Sequence, residues 1–191
     1  MKSLALPHQR HGAAALFVVT LLITGYAHGE EPSVQTATTI TTGDWLSAGK
    51  ESASNFKCKS DYVMTGRKHS EDEHGQTSYQ CGWVKQFVHL KVRNPKTYAP
   101  QTERGYHFTC DKNTIMIGRK HQGDENGPTT YTCAEVEDIW GHAMQVTPVQ
   151  LHTPYKESGH EFKCPINQAI AGRNHDGDEN GRTQYLCAEL W

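Results

Sequence analysis

Several signatures are missing from this 191-residue sequence, and each absence narrows the field. Beyond residue 29 no run approaches the roughly 18 apolar residues that a membrane-spanning helix needs. Lysine and arginine are scattered and the formal net charge is only −2, so no basic footprint for nucleic acid or an anionic membrane surface is present. No CxxC pair occurs, which argues against a cysteine-built zinc site. No Ser-His-Asp spacing, nucleophile elbow or phosphate loop stands out. Adjacent Asp-Glu pairs do occur, but neighbours on one turn cannot oppose each other as a glycosidase pair must. The expectation is therefore that the protein is not an enzyme.

What is present is a stretch that occurs three times: VMTGRKHSEDEHGQTSYQC from Val63 to Cys81, IMIGRKHQGDENGPTTYTC from Ile115 to Cys133, and AIAGRNHDGDENGRTQYLC from Ala169 to Cys187. The copies share Gly-Arg-x-His-x-x-Asp-Glu-x-Gly-x-Thr-x-Tyr-x-Cys, and Glu-x-x-x-x-Phe-x-Cys precedes each, as Glu51/Phe56/Cys58, Glu103/Phe108/Cys110 and Glu157/Phe162/Cys164. A period of about fifty residues is the mark of a repeat architecture. The sequence divides into a signal peptide over 1–29, a flexible or partly extended leader over 30–43 whose Val34 and Ile40 can join an edge strand, and one domain over 44–191 with copies near 44–95, 96–149 and 150–191. The signal reading rests on Lys2 and Arg10, the apolar run Ala13 to Ile23, and small residues that allow cleavage after Ala27 or Gly29. The protein is expected to be secreted or periplasmic.

All six cysteines lie in the copies at one repeated spacing, which in an exported chain reads as a disulfide framework. Two symmetric schemes suit it: bonds within copies (Cys58–Cys81, Cys110–Cys133, Cys164–Cys187) or bonds around a ring (Cys81–Cys110, Cys133–Cys164, Cys187–Cys58). The first is preferred, since each unit is then self-contained.

No helical period appears in the copies; short alternating runs bounded by Gly, Asn, Asp and Pro give the all-β pattern. In the third copy the strands are expected at Ile170 to His175 and Arg182 to Leu190, joined by Asp176 to Gly181. Asn126-Gly127 and Asn180-Gly181 are turn dipeptides in which glycine tolerates positive φ. With Gly66 set opposite Tyr79 and Met64 opposite Cys81, one face carries Met64, Gly66, Thr77, Tyr79 and Cys81 as the buried side. The other face carries Arg67 and His69, and a one-residue slip would invert the assignment. Phe87 to Val92 and Met144 to Leu151 read as connecting strands. The third copy has no following connector, and the segment around Asp44-Trp45-Leu46 can fill that place. The expected architecture is three disulfide-stapled hairpins around a pseudo-three-fold axis, as in a β-prism or β-trefoil.

The succession of a cysteine, an aliphatic-x-Gly strand, a polar loop and an aromatic-x-Cys strand resembles small secreted proteins of the dermatopontin type. The similarity covers the hairpins only; the Asp-Arg-x-Trp run of that family is lacking, and the arginine here precedes the loop. The resemblance implies a shared architecture and transfers no functional residue.

The main candidate for a ligand site is Arg67, His69, Asp72 and Glu73, with Arg119, His121, Asp124 and Glu125 in the second copy and Arg173, His175, Asp178 and Glu179 in the third. Guanidinium, imidazole and paired carboxylates suit sugar hydroxyls or a charged partner group, and nearby Tyr and Trp can supply an apolar platform. The competing and favoured reading is a loop that folds on itself, with Arg clamping the loop acids. Asp176-x-Asp178-x-Asn180-Gly181 matches the first half of a calcium loop, but Cys187 stands where the closing glutamate belongs. A plain acidic turn is preferred there, and no cofactor is expected. The three loop histidines would bind zinc only if the hairpin tips converged, and divergence is expected. Three equivalent sites suit avidity, so the expected function is multivalent binding, of glycans first. A protein-binding module or inhibitor, or a structural envelope or matrix component, is the alternative.

Overall fold

The computed structural model describes residues 37–191 apart from Glu125 and Glu179; the signal reading, its cleavage positions and Val34 lie outside the described residues. Within them the chain is built of strands, with a single 3-10 turn at Glu51–Ala53 and no α-helix. In chain order the strands are β1 (Thr39–Lys50), β2 (Asn55–Lys57), β3 (Tyr62–Ser70), β4 (Gln76–Lys85), β5 (Lys91–Thr97), β6 (Gln101–Thr102), β7 (His107–Thr109), β8 (Ile115–His121), β9 (Pro128–Glu137), β10 (Val146–Leu151), β11 (Tyr155–Lys156), β12 (Gly159–Lys163), β13 (Ala169–Asp176) and β14 (Arg182–Leu190).

Each copy supplies one antiparallel hairpin: β3–β4, β8–β9 and β13–β14. Each hairpin carries a connecting strand on its second arm: β5 on β9, β10 on β14, and β1 on β4. The N-terminal strand thus takes the place that a connector after the third copy would occupy. β1 takes in residues 39–43 of the leader, with Ile40 in the edge strand opposite Val84. The other arm of each hairpin receives the short phenylalanine-bearing strand of a different copy: β2 on β8, β7 on β13 and β12 on β3. The exchange closes on itself, first copy to second, second to third, third to first. A shared glycine makes this pairing possible. A Cβ at Gly66, Gly118 or Gly172 would stand 2.6–3.0 Å from the carbonyl oxygen of Phe162, Phe56 or Phe108.

The disulfides are Cys58–Cys81, Cys110–Cys133 and Cys164–Cys187, with Cα–Cα distances of 5.8–5.9 Å. They follow the within-copy scheme, but the units are not self-contained. Cys58 follows β2, which pairs with the second hairpin, whereas Cys81 lies in β4 of the first. Each bond therefore staples two neighbouring sheets. By the chain-entropy model a loop of this size is worth about 3 kcal/mol.

A β-bulge recurs at the same position in every hairpin and overturns the expected sorting of faces. Met64 lies opposite Cys81 as the alternation requires, but the register then shifts, so that Gly66 faces Gln80, Arg67 faces Tyr79 and His69 faces Thr77. The same shift falls between Met116 and Gly118 and between Ile170 and Gly172. An extra residue on one strand turns the following side chains to the opposite face. Arg67 and His69 consequently share the interior with Thr77 and Tyr79. The interior holds an apolar cluster, with Val63, Val84, Ile115, Val136, Ala169 and Leu190, and the buried arginines and histidines. A second cluster gathers the disulfides with Phe56, Phe108, Phe162 and the three shared tyrosines. Phe108 and Phe162 stack on Tyr131 and Tyr185 at centroid distances of 4.1 and 4.4 Å, and Phe56 on Tyr79 at 4.7 Å.

Two further expectations are corrected. Phe87 to Val92 is not one strand: Phe87 and Val88 stand exposed on a bend that a Lys85–His89 bridge closes, and β5 begins only at Lys91. The positive φ in the loops belongs to Gly123, Gly177 and, in the first copy, Glu71, rather than to Gly127 and Gly181. Gly75, Gly127 and Gly181 are needed for space: a Cβ there would overlap the carbonyl oxygen of Ser70, Gln122 or Asp176.

Candidate functional site

The three arginines are 1–2% exposed and join three glutamates in a closed ring of ion pairs. Arg67 meets Glu51 at 3.1 Å and Glu157 at 2.7 Å. Arg119 meets Glu51 at 2.5 Å and Glu103 at 2.6 Å. Arg173 meets Glu157 at 2.9 Å and also pairs with Glu103. Every glutamate thus bridges its own copy's arginine to another copy's. Each arginine also donates to a tyrosine hydroxyl: Arg119 to Tyr79 (3.1 Å), Arg67 to Tyr185 (3.1 Å) and Arg173 to Tyr131 (3.4 Å). Three positive and three negative charges cancel. Burial pushes the carboxylate pKa values up, but the arginines outweigh it, holding Glu103 at about 2 and Glu51 and Glu157 well below the ordinary range.

Histidine and threonine extend the network. His69 Nδ1 lies 2.8 Å from Thr77 Oγ1, and Thr77 donates onward to Glu51. His121 Nδ1 lies 2.6 Å from Thr129 Oγ1 and 3.0 Å from Glu103 Oε2, while its Nε2 is 3.1 Å from the Gly123 carbonyl oxygen. The third copy departs from the pattern. There Thr183 donates to the Asn174 carbonyl, and His175 Nδ1 has no hydrogen-bond partner, its nearest carboxylate oxygen being Glu157 Oε2 at 3.7 Å. His160, which belongs to this copy alone, takes a central place. Its Nδ1–H donates to the Glu157 carbonyl (3.0 Å), so its Nε2 accepts from Tyr185 (2.7 Å) and Arg67 (3.2 Å). Burial and then the Arg67 charge lower His160 to about 4; burial and then Arg173 do the same for His175.

The candidate residues therefore separate into two groups. Arg67, Arg119, Arg173, His69, His121 and His175 are buried, and the acids the arginines clamp are not those of the loops. An arginine closed in this ring cannot reach a ligand at the surface. Asp72, Asp124 and Asp178 sit on the loops, each Oδ1 accepting from the backbone N–H two residues on, at 2.9 Å. Glu73 is partly exposed beside His74 (3.5 Å), and Glu125 and Glu179 lie outside the described residues. Of the calcium half-loop, Asp178 is turned to the Asn180 backbone and Asp176 ends β13. Glu51, Glu103 and Glu157 were legible as a repeated position, and that repetition was the one signal of their part in the ring.

The hairpin tips converge, contrary to expectation. A small cavity of about 30 Å³ is lined by His69, His121 and His175, by Glu51, Glu103 and Glu157, and at its mouth by Asp72, Glu73, Asp124 and Asp178. A larger groove of about 430 Å³ lies where β1 and β4 of the first sheet meet the Lys57–Lys59 segment of the second. Tyr62, Trp83 and Leu46 line it, with Asp44, Lys57 and Lys59 at its edge, and the Tyr62 and Trp83 rings meet at 5.6 Å and 61°. Set beside known proteins, the chain matches no family model, no curated protein and no solved structure.

Proposed function

We propose that this is an exported glycan-binding protein that takes its ligand in the groove between β1–β4 of the first sheet and the Lys57–Lys59 segment. The observation that carries the reading is the groove at Tyr62 and Trp83. It has the volume of a small-ligand cleft and pairs an aromatic wall with the charged groups of Asp44, Lys57 and Lys59. Aromatic faces stack on the apolar side of a sugar ring, while carboxylate and ammonium groups bind its hydroxyls. The cyclic exchange of strands supports the three-fold, prism-like arrangement, and the three disulfides suit the export reading. The groups best suited to acid–base chemistry are buried in the ring, which favours binding over catalysis.

The reading moves recognition from three equivalent loops to one groove. A glycan array probed with the mature protein and with Trp83→Ala tests it: binding that falls at least tenfold in the variant, with an unchanged melting temperature, is expected. An array without signal, or signal that W83A leaves intact, removes the assignment. A second reading, a protein-binding module, is favoured by the bends after β4 and β9, where Phe87 and Trp140 are 71% and 69% exposed. Loss of a surface-protein contact in a Phe87→Ser, Trp140→Ser variant, with W83A silent, would select it.

A further inference from the structure

The cavity at the converging hairpin tips carries a chemistry that glycan binding does not use. Its described lining contains seven carboxylates, those of Glu51, Glu73, Glu103, Glu157, Asp72, Asp124 and Asp178, and no lysine or arginine. The three arginines behind it neutralise only the three ring glutamates, so the mouth keeps an excess of negative charge. The volume of about 30 Å³ is that of a single water or ion.

Donor geometry narrows the occupant. A carboxylate oxygen from each of Glu51 and Glu103 and a ring nitrogen of His121 all lie within 4.8 Å of one another. His121 Nε2 faces the Gly123 carbonyl at 3.1 Å, and a carbonyl only accepts, so Nε2 carries the proton. Nδ1 points toward Glu103 Oε2, 3.0 Å away, and is the ring nitrogen left to meet an ion. The Thr129 hydroxyl lies beside them, 2.6 Å from Nδ1 and 3.3 Å from Glu103 Oε2. A histidine whose other ring N–H is fixed by a backbone carbonyl is the arrangement that prepares a metal ligand. An independent observation comes from the third copy. His175, 2% exposed and lining the same cavity, has an Nδ1 without a hydrogen-bond partner.

We propose that this cavity binds one first-row divalent cation, with His121 Nδ1, Glu51 and Glu103 as its protein ligands. One nitrogen and two carboxylate oxygens form a donor set suited to zinc or a neighbouring transition ion, each bond needing about 2.0–2.2 Å. Thr129 is free to turn its hydroxyl to Glu103 when Nδ1 takes the ion. Both oxygens of Glu51 and of Glu103 already meet arginine, so on each glutamate the ion shares an oxygen with a guanidinium, and that ion pair loosens as it binds.

The test uses the disulfide-intact mature protein, stripped with EDTA, dialysed and titrated with zinc ion. One zinc per chain by calorimetry and elemental analysis, with a raised melting temperature, is expected. His121→Gln should weaken binding at least tenfold, while His142→Gln, on an exposed turn, should leave it unchanged. Because H121Q removes buried contacts, the wild-type protein supplies a second readout: zinc must shift the His121 Nδ1 nitrogen resonance. No bound zinc, a stoichiometry other than one, binding that survives H121Q, or an unmoved His121 resonance would each overturn the proposal.

Discussion

The inside and the outside of the three hairpins follow opposite rules. Inward, the copies are nearly identical: Glu, Arg, His, Thr and Tyr recur at the same places, and Glu and Arg make the same contacts around a closed ring. Elsewhere they diverge: Tyr62 and Trp83, which line the groove, are replaced by Thr114 and Glu135 in the second copy and by Gln168 and Glu189 in the third. Repetition in this molecule marks what holds the sheets together. A chain that closes by passing strands from copy to copy needs the same joint three times, whereas recognition needs a surface that is locally distinct. Three-fold identity is thus a poor guide to the ligand site and a good guide to the frame.

Breaking the inner joint should have the largest effect. Arg119→Ala leaves Glu51 and Glu103 each short of one cationic partner in a site from which water is excluded. Removing one member of a buried pair costs about 3–5 kcal/mol, and chemical denaturation should show a loss of that order. A loss below about 1 kcal/mol would mean that the ring is open to solvent.

Acid should separate inside from outside next. In the folded protein His160 and His175 titrate at about 4, against 6.5 for the ordinary side chain. Between pH 6.5 and about 4 the unfolded chain binds protons that the folded chain refuses, so stability falls as pH falls through that window. Each histidine contributes up to about 1.4 kcal/mol per pH unit. Carboxylates held low by the ring, Glu103 at about 2, continue the loss below pH 4.5. Melting temperatures between pH 7 and 4 should decline, and His160→Gln should flatten the slope by the share of one group. An unchanged slope would show that His160 does not stay neutral through the window.

A smaller, opposite effect is expected at a loop where the copies differ. Glu71 holds φ +67° at the position that Gly123 and Gly177 occupy in the other two copies. Left-handed backbone costs a side-chain-bearing residue roughly 1–2 kcal/mol, part of which glycine returns as added freedom of the unfolded chain. Glu71→Gly should therefore stabilise by up to about 1 kcal/mol, measurable as a raised denaturation midpoint. A lowered midpoint would mean that the Glu71 side chain makes a contact that outweighs its backbone strain. Trp83→Ala, the smallest in stability, completes the comparison, since its effect should appear in binding alone.

The sequence by itself determined the all-β character, the third-copy hairpin of Ile170 to His175 and Arg182 to Leu190, the cystine pairs, and the use of the N-terminal segment beside the first hairpin. These depend on local alternation, turn residues and spacing, which are written along the chain. The direction of Arg67 and His69 was not legible, because a single extra residue at the bulge reverses a period-two pattern without changing its composition. The partners of the arginines were not legible either. Each needs one glutamate from its own copy and one from another, and only the exchange of β2, β7 and β12 between hairpins brings those six groups together. Convergence of the loop tips had the same origin. Hydrogen-bond pairing between distant strands fixes where a tip points, and no spacing within one copy encodes it.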